Sequence, residues 1–313
     1  MPEYVVTGVN GYIGNAVAEN LLRDGIDPGQ IRVTSRSEER LAAWRDRGVG
    51  TAVADFDDVA ALTEAFRGAT HVFMVSTLSV GPRRKQHHRN VVDAAKAAGV
   101  EHIVYTSFLN TEKPHVNSVE VDDHKATEQY IIGSGLTYNF LRNNQYADAM
   151  AENVAAIGIT TGKAVGNWGD GKVGFVWRDD VAEVGAKVLQ GEGEPNVGYD
   201  VTGPELWGNE DVARMISELS GVHVEAVDLS DDEMYAMWDA LGVPRDSSGD
   251  FSKSPVPWAS DGLVTFGQMI RNHYLEVTTD VVERFTGHKP RRLYDLMVER
   301  RPTWPTAPAA QEA

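Results

Sequence analysis

The chain has 313 residues, 42 % hydrophobic and 24 % charged, a composition typical of a globular protein with one large core or two smaller ones. It contains no cysteine, which excludes disulfides, thiolate nucleophiles and cysteine-ligated metal centres and fits a reducing cytoplasm, where we expect the protein. The net charge of −17 would repel a polyphosphate backbone, so we expect no nucleic-acid partner. We expect neither export nor membrane insertion, because no signal-like segment precedes the first strand and no run approaches about 18 apolar residues.

The first predicted unit is a buried strand, Tyr4 to Thr7, that turns through three glycines into an amphipathic helix. Glycines remove side chains where a backbone must approach a pyrophosphate, and the following helix directs free amides and its positive dipole end toward the same anion. A tight structural turn would explain Gly-x-x-Gly-x-x-Gly equally well, but the flanking strand and helix favour a dinucleotide site. The residues expected to form it are Gly8, Asn10, Gly11, Tyr12, Ile13 and Gly14.

Strands and helices then alternate along the chain. Because right-handed strand-helix-strand crossovers build a parallel sheet with helices on both faces, this pattern predicts an α/β fold with a doubly wound sheet. Ligands bind such sheets at the carboxyl ends of the strands. The predicted strands are Ile31–Ser35, Gly50–Ala54, His71–Val75, His102–Thr106 and Thr137–Leu141, and the helices Glu38–Arg47, Val59–Phe66, Gln86–Ala98 and Asp123–Ile132.

The pattern changes after about residue 155. The glycine-rich stretch Gly158–Gly174 is predicted to be a short hairpin, and a strand near Tyr199–Thr202 is expected to rejoin the main sheet. From Asn209 the chain is predicted to form a smaller, mostly helical C-terminal capping region with one strand near Val222–Val227. The expected division is a dinucleotide-binding domain over 1–157, with 175–203 rejoining its sheet, and a substrate-capping region over 158–174 and 204–313.

Arg36 decides the expected cofactor. Proteins that bind NAD commonly place an acidic residue at the end of the second strand to accept the ribose hydroxyls, whereas this chain has Ser-Arg-Ser at that point. The guanidinium of Arg36 would bind the 2′-phosphate of NADP, assisted by Ser37 or Arg40, so we predict NADP(H) in preference to NAD(H). The alternative is a solvated Arg36 whose charge is compensated by Glu38 and Glu39.

Residues at the ends of the next strands complete the expected cofactor site. Asp55 follows the third strand, where a carboxylate can accept the adenine amino group, and Phe56 beside it either flanks the base or belongs to the core. Ser76 and Thr77 end the fourth strand and Ser107 ends the fifth, at the rim where a nicotinamide would lie.

A series of short motifs, each weak alone, becomes specific in its order along nearly the whole chain. The motifs are Thr7-Gly8-x-x-Gly11-x-x-Gly14, Arg36, Ala94 to Val100, Val104 to Ser107, His124-x-x-Thr127-Glu128, Ser134 to Tyr138, Leu141 to Asn143, and Val201 to Glu205. They resemble the NmrA-like, atypical branch of the short-chain dehydrogenase/reductase superfamily, especially type-2 quinone oxidoreductases and triphenylmethane reductases. The resemblance implies a Rossmann-type fold that binds NADP, with Ser76, His124 or Lys125, and Asn143 near the nicotinamide.

One feature of that superfamily is missing. Ordinary members protonate a carbonyl oxygen with Tyr-x-x-x-Lys, yet none of the ten tyrosines here has a lysine four residues later. A simple ketone that accepts hydride develops an alkoxide and needs a positioned acid, which contributes roughly 10²- to 10⁴-fold. We therefore expect acceptors that are already electrophilic and whose product charge is delocalised: quinones, conjugated enones, imines, azo groups or cationic dyes. Contact between hydride donor and acceptor in a dry cleft would supply most of the acceleration.

His124 and Lys125 are the candidate catalytic residues. His124 would donate a proton or anchor the substrate, and Lys125 would hold the nicotinamide ribose, where it also counts as a cofactor-binding residue. The alternative places both on the exposed first turn of a helix capped by Asp122 or Asp123, with His124 paired to Glu128 at i, i+4.

The candidate substrate-binding residues are Asn144, Tyr146 and Trp168, with helix packing as the alternative for Tyr146 and core packing for Trp168. No metal site is predicted, because His87 and His88 are adjacent and would project about 100° apart on a helix, and no His-Glu-x-x-His occurs.

Two hypotheses from different classes of function remain open. The first is an NAD(P)H-dependent oxidoreductase that transfers a hydride to an activated, aromatic or conjugated small molecule. The second is a catalytically silent redox sensor that binds NADP(H) and regulates a partner protein. The missing Tyr-x-x-x-Lys is compatible with both, whereas the long capping region and its tryptophans favour the enzyme. A homodimer is among the assemblies that the sequence allows.

Overall fold

The computed structural model describes residues 3–116, 118–256 and 258–306. The strands are β1 (Tyr4–Val6), β2 (Ile31–Ser35), β3 (Gly50–Val53), β4 (His71–Met74), β5 (His102–Phe108), β6 (Thr137–Asn143), β7 (Lys163–Gly166), β8 (Val197–Val201) and β9 (Glu225–Asp228). The α-helices are α1 (Tyr12–Arg23), α2 (Ala42–Arg45), α3 (Val59–Phe66), α4 (Pro82–Ala98), α5 (Val119–Ser134), α6 (Ala147–Ala149), α7 (Ala155–Thr161), α8 (Arg178–Lys187), α9 (Asn209–Ser220), α10 (Asp231–Ala240), α11 (Ser260–Arg271), α12 (Val281–Thr286) and α13 (Leu293–Arg300). Turns of 3-10 or π-helix cover Pro28–Gln30, Glu39–Leu41, Met150–Val154, Val188–Glu192 and Arg301–Thr303.

Seven strands form one sheet in the order β3-β2-β1-β4-β5-β6-β8, and every neighbouring pair in it is parallel. The predicted doubly wound α/β fold is confirmed, and the strand expected to rejoin the sheet does so as β8. From β1 the chain adds β2 and β3 on one side and then returns to add β4 and the later strands on the other side. Such a reversal of strand order between β1 and β4 opens a crevice at the carboxyl ends of the strands.

Helices cover both faces of the sheet. Successive residues of each strand point to opposite faces, so Val6 and Val104 join one core with α1, α8 and α12, whereas Val5 and Ile103 join the other with α3, α4 and α5. Burial on both faces explains why the strands are continuous apolar runs in the sequence. The predicted helix Glu38–Arg47 is wrong in part, because a 3-10 turn occupies its start and α2 is only one turn long.

The smaller region is built on a two-stranded parallel sheet of β7 and β9. The predicted hairpin over Gly158–Gly174 is therefore wrong: α7 occupies its beginning, and β7 pairs with a strand on the far side of α9. Close packing accounts for some of the glycines in this stretch, since a Cβ at Gly171 would lie 2.0 Å from the carbonyl oxygen of Ile270 in α11.

A third core fills this smaller region. It joins Ala151, Ala155 and Ile159 with Val212 and Ile216 of α9. The helical segment 147–161 thus belongs to the same core as α9, and the domain boundary that we placed at residue 157 falls inside α7. Within the part of the chain that the structure describes, no helix combines the length and the apolar character needed to cross a bilayer.

Candidate active site

The turn from β1 into α1 has the backbone geometry that a phosphate requires. Gly8 has a φ of +66°, in the left-handed region that favours glycine. A Cβ at Gly14 would lie 2.6 Å from the carbonyl oxygens of Thr7 and Gly8, so only glycine lets α1 approach the strand this closely. Gly11 is the N-cap of α1 and has no side chain that could occupy the first amides of the helix, and Asn10 beside it is exposed. The first amides of α1 are available to an anion at the positive end of the helix.

The side chains of Tyr12 and Ile13 anchor this turn. The Tyr12 hydroxyl donates to Asp179 Oδ1 at 2.8 Å, and the Arg178 guanidinium lies 4.6 Å from the centre of the Tyr12 ring. Burial and the hydrogen bond with Asp179 raise the pKa of Tyr12 to about 12. Ile13 is buried in the core, which leaves its backbone amide as the group that can contact a phosphate.

Arg36 lies at the carboxyl end of β2 and is exposed. Its guanidinium makes no hydrogen bond or ion pair with any residue in the described ranges. Glu38, which the alternative assigned to compensating Arg36, instead pairs with Arg45 at 2.5 Å. The backbone N–H of Ser37 donates to Ser35 Oγ at 2.9 Å, which fixes the turn in which Arg36 stands.

Asp55 and Phe56 follow β3 and are half-buried. Asp55 Oδ1 accepts a hydrogen bond from the backbone N–H of Asp57 at 3.0 Å. The Phe56 ring meets His87 edge to face, with 6.4 Å between centroids, and packs against the core on the α4 side of the sheet. Packing accounts for at least part of the Phe56 surface, and the Asp55 carboxylate keeps an oxygen that can accept from a base.

The loop after β4 holds a free hydroxyl. The backbone N–H of Ser76 donates to Thr106 Oγ1 at 2.8 Å, and that of Thr77 donates to His88 Nε2 at 3.1 Å. Thr77 Oγ1 is buried and has no partner within the described ranges. Ser107, at the neighbouring strand end, differs because its hydroxyl donates to Glu128 Oε1 at 2.5 Å.

Asn143 ends β6 and exposes only 1 % of its surface. Its Nδ2 donates to the Tyr146 hydroxyl at 3.1 Å, whereas its Oδ1 is buried without a partner among the residues described. A buried acceptor left unsatisfied costs about 1–3 kcal/mol, and the N–H groups of a carboxamide would satisfy it. Asn143 Oδ1 and Thr77 Oγ1 are therefore orphaned polar atoms at two strand ends where the predicted cofactor would bind.

His124 lies in the second turn of α5 and is buried, with 7 % of its surface exposed. The helix begins at Val119 and is capped by Ser118, whose hydroxyl accepts from the N–H of Val121, so the alternative with an exposed first turn capped by an aspartate is wrong. The Tyr105 hydroxyl lies 2.7 Å from His124 Nδ1. Burial lowers the pKa of His124 well below its usual range, which keeps the imidazole neutral near pH 7.

Glu128 does not pair with His124. It accepts hydrogen bonds from Ser107, from Thr111 at 2.8 Å and from Arg142 at 3.1 and 2.8 Å, so it joins β5 and β6 to α5. Lys125 is half-buried and makes no hydrogen bond or ion pair with the residues described, which leaves its ammonium available to a ligand.

The candidate substrate residues lie in different surroundings. Asn144 is buried, and its Nδ2 donates to the carbonyl oxygen of Leu275 at 3.0 Å, a contact that holds the capping region. Tyr146 precedes α6, and its backbone bridges to Val176. Trp168 packs against the third core, with its ring centre 6.3 Å from that of Phe175.

Tyr105 and His88 are the residues at this site that the sequence reasoning missed. Both are buried and connect to His124 and to the loop after β4. The sequence did contain a signal for Tyr105, because Tyr105 lies two residues after Ile103 in β5 and therefore points to the same face of the sheet. That face is covered by α4 and α5, the helices that carry His88 and His124.

The fold and this site define a nucleotide-binding α/β protein, and comparison with known proteins makes the class specific. The model of a family described as NAD(P)H-binding matches residues 8–192, and the chain belongs to this family. The chain is similar to quinone oxidoreductase 2 of Escherichia coli, with 31 % identity over 278 residues that cover 89 % of this chain and 96 % of that protein. The solved structure of the NADPH-dependent quinone oxidoreductase QOR2 from E. coli, complexed with NADPH, has a TM-score of 0.82 and 28 % identity and covers 95 % of this chain and 99 % of that one.

Two further relatives share nearly the full length of the chain. The structure of triphenylmethane reductase from Citrobacter sp., complexed with NADP(H), has a TM-score of 0.80 and 27 % identity over 95 % of this chain and 99 % of that one. The NAD(P)H azoreductase of Xenophilus azovorans is 25 % identical over 92 % of this chain and 94 % of that protein. The predicted NmrA-like reductase resemblance is confirmed at the level of family and fold.

Proposed function

We propose that this protein is an NADPH-dependent reductase that transfers a hydride to an activated aromatic or conjugated acceptor, such as a quinone, enone, imine, azo compound or cationic dye. The names of its relatives support this class, because they specify a quinone, azo compounds and triphenylmethane dyes as substrates and NADPH or NADP(H) as ligand. These acceptors share an electrophilic centre and a product charge that is delocalised.

The protonation states of Tyr105 in β5 and His124 in α5 support the proposal. Burial raises the pKa of Tyr105 far above neutrality, and burial lowers that of His124 well below its usual range. Neither group changes its charge near pH 7, and no lysine stands four residues after Tyr105 to lower its pKa. These two residues therefore offer hydrogen bonds without acting as strong general acids, which suits acceptors that need none for hydride transfer.

The residues present fit the cofactor. The free amides of α1 would bind the pyrophosphate, Arg36 the 2′-phosphate and Lys125 the nicotinamide ribose. The orphaned Oδ1 of Asn143 and the hydroxyl of Thr77 would receive hydrogen bonds from the nicotinamide end. When bound, NADPH supplies the hydride, and the protein holds it against the acceptor and excludes water.

Loss of the reduced-nicotinamide absorbance tests the proposal. The purified protein is mixed with NADPH and then, one at a time, with menadione, a triarylmethane dye, an azo dye, a cyclic imine and, as the matched unactivated carbonyl, cyclohexanone. We expect oxidation with at least one activated acceptor and none with cyclohexanone. Equal rates with cyclohexanone would overturn the argument from the missing acid.

The sensor hypothesis predicts a different result from the same samples. A sensor would bind NADPH tightly in a calorimetric titration and oxidise it with none of the acceptors. Absence of any heat with either nicotinamide coenzyme would reject both hypotheses, because each depends on the glycine turn after β1.

A further inference from the structure

A chain of buried hydrogen bonds runs from the loop after β4 to His124. The backbone N–H of Thr77 donates to His88 Nε2 at 3.1 Å, and His88 Nδ1 lies 2.9 Å from Thr127 Oγ1 and 3.3 Å from the Tyr105 hydroxyl. The Tyr105 hydroxyl in turn lies 2.7 Å from His124 Nδ1. His88 and Tyr105 are fully buried, so these groups have each other as partners in place of water.

The amide of Thr77 determines where the protons lie, because a backbone N–H can only donate. His88 Nε2 therefore accepts, and neutral His88 carries its proton on Nδ1. The Thr127 hydroxyl donates to a backbone carbonyl one turn earlier on α5, at 2.9 Å, and so accepts from His88. Because the protonated Nδ1 of His88 cannot accept a hydrogen bond, donation by the Tyr105 hydroxyl to His124 Nδ1 is the arrangement that gives the hydroxyl hydrogen an acceptor. Neutral His124 then carries its own proton on Nε2.

The other ring nitrogen of His124, Nε2, makes no hydrogen bond to the residues described. Nor does it belong to the side-chain atoms there that are both fully buried and unpaired. Aromatic rings border the imidazole at the carboxyl edge of the sheet. The centroid of Phe108, the last residue of β5, is 6.1 Å from that of His124, and the ring of Phe266 from α11 lies 6.2 Å beyond Phe108. A flat acceptor placed against such rings would meet an N–H donor at their edge.

We propose that Tyr105 fixes the tautomer of His124, so that His124 presents a neutral Nε2–H as a hydrogen-bond donor to the acceptor and does not supply the proton of the reaction. This inference rests on the reductase function proposed above. Tyr105 is a positioning residue that acts through His124, and His88 positions Tyr105.

The chemistry balances without a protein acid. A quinone gains one hydrogen with both electrons of the nicotinamide C–H bond, which leaves a hydroquinone anion and the oxidised cofactor. The Nε2–H of His124 stabilises the developing oxyanion, and water supplies the proton afterwards. Transfer of that proton from neutral His124 would leave an imidazolate, which is a much stronger base than the hydroquinone anion, so the transfer is unfavourable even with the charge of Arg84 nearby. A hydrogen bond is therefore what this residue can contribute.

Nitrogen-15 NMR of the full-length protein with labelled histidine and bound NADP⁺ tests the tautomer directly. We expect the His124 signals, assigned by their loss in His124→Gln, to show a protonated Nε2 and an unprotonated Nδ1. Tyr105→Phe should increase the population protonated on Nδ1. A wild-type His124 protonated on Nδ1, or on both nitrogens at pH 7, would overturn the inference.

Single-turnover reduction of menadione tests the consequence. We expect Tyr105→Phe and His124→Phe to slow hydride transfer about 10- to 100-fold, because an oxyanion loses its donor, while the dissociation constant of NADPH stays the same. His124→Gln keeps an N–H at a similar reach and should stay within about 3-fold of the wild type. Tyr130→Phe is the matched control, since Tyr130 on α5 donates to Asp93 at 2.8 Å on the surface.

The outcomes separate the two proposals. If the wild type oxidises NADPH with no acceptor, the proposed function fails while the NMR result still decides the tautomer. If the wild type is active and His124→Phe is equally fast, the function stands and the inference about His124 is wrong. Because the wild-type spectrum and the His124 variants do not require Tyr105→Phe to fold, a misfolded Tyr105 variant leaves the test intact.

Discussion

Replacement of Arg36 by alanine is expected to remove the preference for NADPH over NADH. Arg36 is exposed at the carboxyl end of β2, and Glu38 is already engaged by Arg45. A hydrogen bond to a charged group contributes about 1.5–3 kcal/mol. Solvent screens an exposed pair, so we take the lower value, about 1.5 kcal/mol, which corresponds to roughly a 10-fold difference in dissociation constant.

Titration calorimetry with both coenzymes measures this difference. In Arg36→Ala the NADPH dissociation constant should rise about 10-fold and the NADH constant should not change, and salt should reduce the wild-type preference. Arg67→Ala is the charge-matched control, because Arg67 is exposed at the opposite end of the sheet, where it pairs with Glu64 at 2.9 Å. An unchanged ratio of the two constants in Arg36→Ala would refute the assignment of the 2′-phosphate to this guanidinium.

Three further predictions concern the cofactor turn, the nicotinamide end and a buried carboxyl group. Gly14→Ala should lower the free energy of unfolding by about 1–3 kcal/mol and weaken NADPH binding, because its Cβ would lie 2.6 Å from two carbonyl oxygens. In urea titrations the matched Gly133→Ala, in open space on α5, should instead stabilise the protein by about 0.5–1 kcal/mol, and equal effects would contradict the packing argument. Asn143→Ala should weaken NADPH binding about 5-fold, the equivalent of about 1 kcal/mol for one hydrogen bond, as measured by calorimetry, and unchanged affinity would remove Oδ1 from the cofactor site. Burial raises the pKa of Glu120, beside Arg84, to about 7, so the stability that this residue contributes is complete below pH 4.5 and is lost as pH rises through 7. Glu120→Gln should therefore flatten the decline in urea midpoint between roughly pH 5 and 8. Parallel curves of midpoint against pH for the two proteins would exclude this cause.

The sheet and the cofactor turn were predictable because their signals are local. The bounds of β2 and α3 agree with the sequence pattern, since each strand-helix unit is fixed by periodicity and glycines within a few residues. The pairing of β7 with β9 was not predictable, because a parallel partner lies beyond a helix and periodicity does not identify it. The same limit applies to Glu128, whose partners lie in β5, in the turn after it and in β6, which only the fold brings next to α5.

Long-range contacts keep the capping region in one position. Three side chains donate to backbone carbonyls more than a hundred residues away: Asn110 after β5 to Tyr274 at 2.9 Å, Asn144 after β6 to Leu275 at 3.0 Å, and Trp177 before α8 to Arg292 at 2.9 Å. Each donor is buried, and loss of its acceptor would cost about 1–3 kcal/mol, so the three contacts together oppose a hinged opening. A region held in this way keeps its shape, and the Asn144 side chain contributes to it through its hydrogen bond to Leu275. Asn144 thus helps to dock the capping region, a role that its position next to Asn143 in the sequence does not reveal, and its contact with a substrate stays a prediction.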